Sequence, residues 1–185
     1  MSINKGAGET PGSKRESFDM IAYTIRSTGG LTLSQLASIS GLETTTIQNW
    51  VKRGWVESPD GRLYGEYSTA RVLIIAMLRS VMQLSDIVYL MSYINGKVDD
   101  RSDDAIDDGQ LYQILCSITS KLDSEKVIDE GMIDSLISQE LASYTEPFEG
   151  GLEKLRNTLR IMSLAYLSAR LKDMVQALLE TTVNK

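Results

Sequence analysis

The chain has 185 residues, enough for one or two domains with a buried core, and a formal net charge of −6. It holds no histidine and a single cysteine, Cys116. That excludes a disulfide within the chain and a Cys/His zinc site, and the acidic balance counts against a general nucleic-acid coat.

The charge is unevenly placed. Residues 1–80 carry nine Lys/Arg and seven Asp/Glu, a net of +2, whereas residues 81–185 carry ten and eighteen, a net of −8. The longest apolar run, Val72 to Leu78, lies between Arg71 and Arg79 and is far too short to span a bilayer. The first residues carry no apolar run of a signal peptide. The expectation is a cytoplasmic protein with no membrane partner.

Residues 1–16 are rich in Gly, Ser, Lys and Glu, with Pro11, and read as a disordered arm whose Lys14 and Arg15 are solvated or touch a phosphate. Phe18, Ile21, Ala22 and Ile25 then share one helical face, and Gly29-Gly30 ends that helix. The helix is expected to support the unit that follows.

Thr32 opens the next helix. Its hydroxyl can accept from the Gln35 N–H while the Gln35 side chain bonds back, with Leu31 and Leu36 as a hydrophobic staple. Gly41 closes this helix. A second short helix is expected with Thr44 as N-cap, Ile47, Trp50 and Val51 inward, and Thr45, Gln48, Asn49 and Lys52 outward, with Arg53 near its end. Two short helices across a glycine turn define a helix-turn-helix, and a polar, basic outer face suits base edges and phosphates. An ordinary solvated face is the competing reading.

Trp55-Val56-Glu57 and Arg62-Leu63-Tyr64 flank Ser58-Pro59-Asp60-Gly61. Asp60-Gly61 predicts a tight hairpin turn with positive φ at both residues. The hairpin would form a wing, with Arg62 and Tyr64 as its DNA contacts and Tyr67 anchoring its end. Residues 68–82 are apolar nearly all round, as in a helix buried between other elements. Ser85 is expected to cap a helix running to Tyr93, with Leu84 and Tyr89 as staple.

Residues 95–109 are rich in aspartate. A calcium loop starting at Asp103 or at Asp104 would lack its oxygen ligands at the third and twelfth positions, so the stretch reads as a solvated acidic linker. Leu111, Ile114, Leu115, Ile118 and Leu122 predict one helix, with Cys116 as a buried thiol in its apolar pattern. Ile128, Met132, Ile133, Leu136, Ile137 and Leu141 predict another. After a turn over residues 145–151, a last helix spans about residues 152–182 with two stripes. Leu152, Leu155, Leu159, Met162, Tyr166 and Ala169 form one, and Leu164, Leu167, Leu171, Met174 and Leu178 the other. Both alternate three and four, the coiled-coil spacing. One stripe is expected to bury inside the chain and the other against a partner copy; a wholly intramolecular bundle is the alternative.

The fold expected is mainly α: a winged helix-turn-helix head over residues 17–94 with a small β-hairpin wing, then a linker over 95–109 and a helical dimerisation or regulatory region over 110–185. Over residues 31–94 the chain resembles the MerR-type winged helix-turn-helix regulators. The resemblance rests on Leu36-Ala37, Gly41, Thr46-Ile47, Trp50, Gly54, Val56, Pro59, Tyr64 and Tyr67, followed by Val72 to Leu78, Leu84-Ser85-Asp86-Ile87 and Leu90-Met91. It also resembles an uncharacterised family of Gram-positive bacterial proteins with such a head before a helical tail. The resemblance implies a homodimeric, sequence-specific transcription regulator that binds double-stranded DNA. Two departures stand out: an arginine is common in MerR-type proteins where this chain has Gln48, and Tyr-Arg where it has Tyr64-Gly65. The cysteine loop of the metal sensors has no counterpart, so no cofactor and no metal is expected.

Two other functions compete. A protein-interaction adaptor that has lost DNA binding would explain the missing arginines and the acidic tail. A ligand sensor would use Tyr112, Tyr144, Phe148 and Tyr166 as the lining of a pocket. An enzyme is not expected, because there is no histidine base, no phosphate-cradling loop and no paired nucleophile.

Overall fold

In this computed structural model, which describes residues 13–125 and 129–183, eight α-helices and one two-stranded sheet follow one another. They are α1 (Ser13–Thr28), β1 (Leu31–Thr32), α2 (Leu33–Ser40), α3 (Thr44–Lys52), β2 (Leu63–Tyr64), α4 (Glu66–Leu78), α5 (Leu84–Asn95), α6 (Asp108–Ser124), α7 (Glu130–Glu140) and α8 (Gly151–Val183). The fold is mainly α, as expected. Of the arm expected over residues 1–16, residues 1–12 lie outside the described residues, and residues 13–16 already belong to α1.

The start of α2 forms as its residues dictate. Gln35 N–H donates to Thr32 Oγ1 at 3.3 Å, and Thr32 N–H donates to Gln35 Oε1 at 2.8 Å, so two helix-end donors are satisfied reciprocally. Two expected caps are not made. Glu43, not Thr44, is the N-cap of α3, and Gln83, not Ser85, is that of α5; neither uses a side-chain hydrogen bond. The staple expected at Leu84 and Tyr89 fails too, because Tyr89 is exposed.

The sheet corrects the expected wing. Leu63 and Tyr64 pair antiparallel with Thr32 and Leu31, and not with Trp55-Val56-Glu57, which form no strand. Gly30 makes this pairing possible. Its φ is +146°, and a Cβ there would lie 2.7 Å from Leu63 Cβ and 2.9 Å from the Tyr64 carbonyl oxygen, so only glycine lets β1 approach β2. The tight turn survives one residue later than expected. Asp60 and Leu63 exchange N–H···O bonds at 3.0 Å in both directions, which makes Gly61-Arg62 the central pair. Gly61 has φ +61°, and among the described residues every positive φ belongs to glycine.

The 95–109 segment is solvated as expected over residues 99–103, but its two ends are not. Asn95, Ala105, Ile106 and Asp108 are buried. Ala105 N–H donates to the Ile94 carbonyl at 3.1 Å and Ile106 N–H to Asn95 Oδ1 at 3.3 Å. The segment delivers Asp108, the first residue of α6, to Arg71 in the middle of α4, where Nε and Oδ2 stand 2.8 Å apart. Helix α6 packs against α1, α4, α7 and α8. One continuous core therefore runs from Phe18 to Ala165, and the division expected at residues 95–109 does not separate two cores. Helix α1 likewise docks on α6 as well as on α4. Phe18 meets the Tyr112 ring edge-on at 4.8 Å, and Gln113 donates to Asp19 at 2.8 Å.

Helix α4 is buried nearly all round, from Tyr67 to Ile75 and again at Leu78. Ile128, expected on the stripe of α7, lies outside the described residues. Helix α8 divides its two stripes. Leu155, Leu159 and Met162 are buried, whereas Leu164, Leu171, Met174 and Leu178 are exposed. Every described side chain from Leu171 onward is exposed. The root of this free half is tied down: Arg170 is ion-paired with Asp123 at 3.2 Å, and Lys172 Nζ donates to the Ser80 carbonyl at 2.9 Å. No helix among the described residues is long and apolar enough to cross a membrane.

Candidate nucleic-acid interface

Helix α3 is amphipathic by construction. Ile47 and Trp50 are buried in the core and Val51 is half-buried against it. This inner face fixes the rotation of a nine-residue helix whose own propensity, with three threonines at its start, is poor. Gly41, in the left-handed conformation, ends α2 and sends the chain through Leu42 and Glu43 into α3. Helices α2 and α3 pack directly on each other, and α2 packs in turn on α4 and β2.

The outer face gathers four of the residues expected to contact DNA. Thr45, Gln48, Asn49 and Lys52 are exposed, and no hydrogen bond or ion pair joins their side chains to another described residue. A carboxamide or ammonium that bonds nothing within the chain is available to a partner. Arg53 caps the C-terminal end of α3, and its guanidinium stands 4.9 Å from the centre of the Trp55 ring. A cation over an indole face is held by the ring quadrupole. Sequence reasoning placed Trp55 in a strand and missed this contact. Its cause is Gly54, whose φ of +71° turns the chain back beneath α3 so that Trp55 N–H donates to the Trp50 carbonyl at 2.9 Å.

The turn residues divide. Arg62 is exposed at the Gly61-Arg62 turn. Tyr64 is 4% exposed and belongs to the core, paired with Leu31. Burial also raises its phenol pKa. Alternation along β2 sends Leu63 outward and Tyr64 inward, so Tyr64 is removed from the expected contact set. Arg62 stands in the turn just before β2, the strand that packs on α2, and not on the α3 helix that carries the other four.

The aromatic pocket expected of a ligand sensor is not assembled. Tyr112 meets Phe18 edge-on, Tyr144 donates to the Ala105 carbonyl at 2.6 Å, Tyr166 donates to Asp123 at 2.7 Å, and Phe148 lies beside Lys154. A cavity of about 710 Å³ does adjoin Tyr144, but none of the other three aromatics lines it, and its walls mix polar Arg101, Asp104, Gln110 and Glu140 with apolar Ile106 and Ile114. Burial pushes the Asp104 carboxyl up to about 6, with Arg71 opposing the shift. No group of three or more Cys, Asp or Glu among the described residues is placed to hold a metal ion.

These observations define a mainly helical protein with an exposed polar face on a short, tightly anchored helix. The chain belongs to the family described as domain of unknown function DUF1836, which matches residues 23–115. The matched stretch runs from α1 through the 95–109 segment into α6 and contains both Arg71 and Asp108. The chain is also similar to the uncharacterized protein YkrK of Bacillus subtilis (strain 168), with 25% identity over 123 residues, 63% of this chain and 53% of the relative. The chain thus spans about half the length of that curated relative. No solved structure matches it.

Proposed function

We propose that the protein is a sequence-specific DNA-binding transcription regulator. In this reading β1 to β2 form a winged helix-turn-helix of MerR-like kind, with α3 as the recognition helix and the Gly61-Arg62 turn as a reduced wing. The observation that carries it is the outer face of α3: four exposed polar or basic side chains without partners among the described residues, above a buried Ile47 and Trp50. A helix presented this way across a short turn is the geometry that enters a major groove. Lys52, Arg53 and Arg62 supply phosphate contacts. The chain acts as a homodimer through the exposed half of α8, whose Leu171, Met174 and Leu178 continue a coiled-coil spacing and stay more than half exposed among the described residues.

Retention of random duplex DNA by the full-length chain at low salt tests the reading. Enrichment of one sequence motif supports it, and uniform recovery of the pool contradicts it.

A second reading is favoured by that same apolar end of α8 together with Gln48 and Gly65, which stand where MerR-type proteins commonly carry arginine. Here the chain is an adaptor that docks another protein and binds no DNA. A parent chain that retains no duplex, yet loses a partner when Leu171 and Leu178 become glutamate, supports the adaptor.

A further inference from the structure

The unpartnered groups on α3 are chemically lopsided. Gln48 and Asn49 each offer one amide donor pair and one carbonyl acceptor, and Thr45 offers a hydroxyl and a methyl. The face has no guanidinium, since the first arginine, Arg53, lies at the C-cap with its group over Trp55. In the major groove adenine shows an acceptor beside a donor, which a carboxamide matches with both of its groups. Guanine shows two acceptors, which a carboxamide meets with one donor and one repelling oxygen. A thymine methyl is met by a threonine methyl.

We propose that the duplex this protein recognises carries A·T pairs where α3 faces it, with Gln48 and Asn49 as the residues that select adenine. The inference rests on the DNA-binding reading above and names its substrate class.

The geometry sets how many bases are read. Gln48 and Asn49 are successive residues, about 100° apart around the helix, so they address two different bases. From Thr45 to Lys52 the face rises about 10 Å, close to three base pairs of duplex. The N-terminal residues of a recognition helix reach base edges. Lys52, a turn further along, and Arg53 are left to the phosphates. Burial of Ile47 and Trp50 prevents the helix from rolling to present another face.

Selection from a random duplex pool with the full-length chain is the test, repeated with Gln48→Arg and with Asn49→Ala. Both side chains are exposed, so unchanged melting of the variants establishes that they fold. The expected result is A·T at two neighbouring positions of each half-site. Gln48→Arg moves one of them to G·C, and Asn49→Ala lowers discrimination at the other roughly ten- to hundred-fold. G·C at those positions in the parent's site, or variants that reproduce the parent's site unaltered, overturns the inference while leaving DNA binding intact. A parent chain that retains no duplex overturns the DNA-binding reading and this inference with it.

Discussion

Arg71 and Asp108 meet in the interior with Nε and Oδ2 2.8 Å apart, both side chains at most 1% exposed. The carboxylate also accepts from Asn95 Nδ2 at 2.8 Å. Three successive helices, α4, α5 and α6, are thereby joined at one carboxyl group. Loss of one partner strands a buried charge. Arg71→Met should cost about 3–5 kcal/mol in urea unfolding. Arg71→Met with Asp108→Leu should recover much of that loss, because apolar groups of similar volume replace a buried pair at little net cost.

The same carboxyl gives a pH signature. Burial raises Asp108 to about 6, with Arg71 and the Asn95 hydrogen bond opposing the shift. The folded-state pKa therefore lies above that of the unfolded chain, so the folded form binds the proton more tightly. The contribution to stability is complete below about pH 4 and is lost as pH rises through 6. Asp108→Asn removes that dependence. Its stability deficit relative to the parent should shrink by on the order of 2 kcal/mol between pH 4 and pH 7, read by thermal or urea unfolding across that window.

How much was legible in the sequence depended on how local the cause was. The Thr32–Gln35 capping box, the all-round apolar α4 and the divided stripes of α8 are properties of neighbouring residues, and each formed. The 95–109 segment misled at its end, because Asp108 without a visible partner looks as solvated as Asp99, Asp100 and Asp103, which are exposed. Asp108 has its partner 37 residues earlier, in a helix that only the fold places beside it. The wing misled for a related reason: β2 pairs with β1 across α2 and α3, and the requirement for Gly30 shows only once Leu63 lies against it. On the site, the period of α3 was enough to place Thr45, Gln48, Asn49 and Lys52 outward. The strand assignment for Tyr64 was correct, but its inward direction depended on a pairing the sequence does not show.

Tyr64 and Arg62, two residues apart, should separate cleanly. Tyr64→Ala empties a core position and should cost about 3–5 kcal/mol, measured by chemical denaturation. Arg62→Ala should leave stability within about 0.5 kcal/mol of the parent. In DNA titrations it should reduce the slope of log affinity against log salt by about 1.

The exposed half of α8 should set the assembly state. Leu171→Glu with Leu178→Glu introduces charge where side chains are 62% and 63% exposed. The melting of the protomer should change little, while the solution mass by light scattering should fall from that of a dimer to that of a single chain. A mass that is unchanged by these substitutions would place the interface elsewhere.

The central claim is that the outer face of α3 binds duplex DNA. Its most direct measurement is equilibrium binding of the full-length chain to a selected duplex, followed by fluorescence anisotropy at salt concentrations from about 50 to 200 mM. The account predicts saturable binding that weakens as salt rises. Lys52→Ala should lower affinity for every sequence and lessen the salt slope by about 1, with folding unchanged. Binding absent at the lowest salt, or equal in the parent and a Gln48→Ala, Asn49→Ala, Lys52→Ala triple variant, would contradict it.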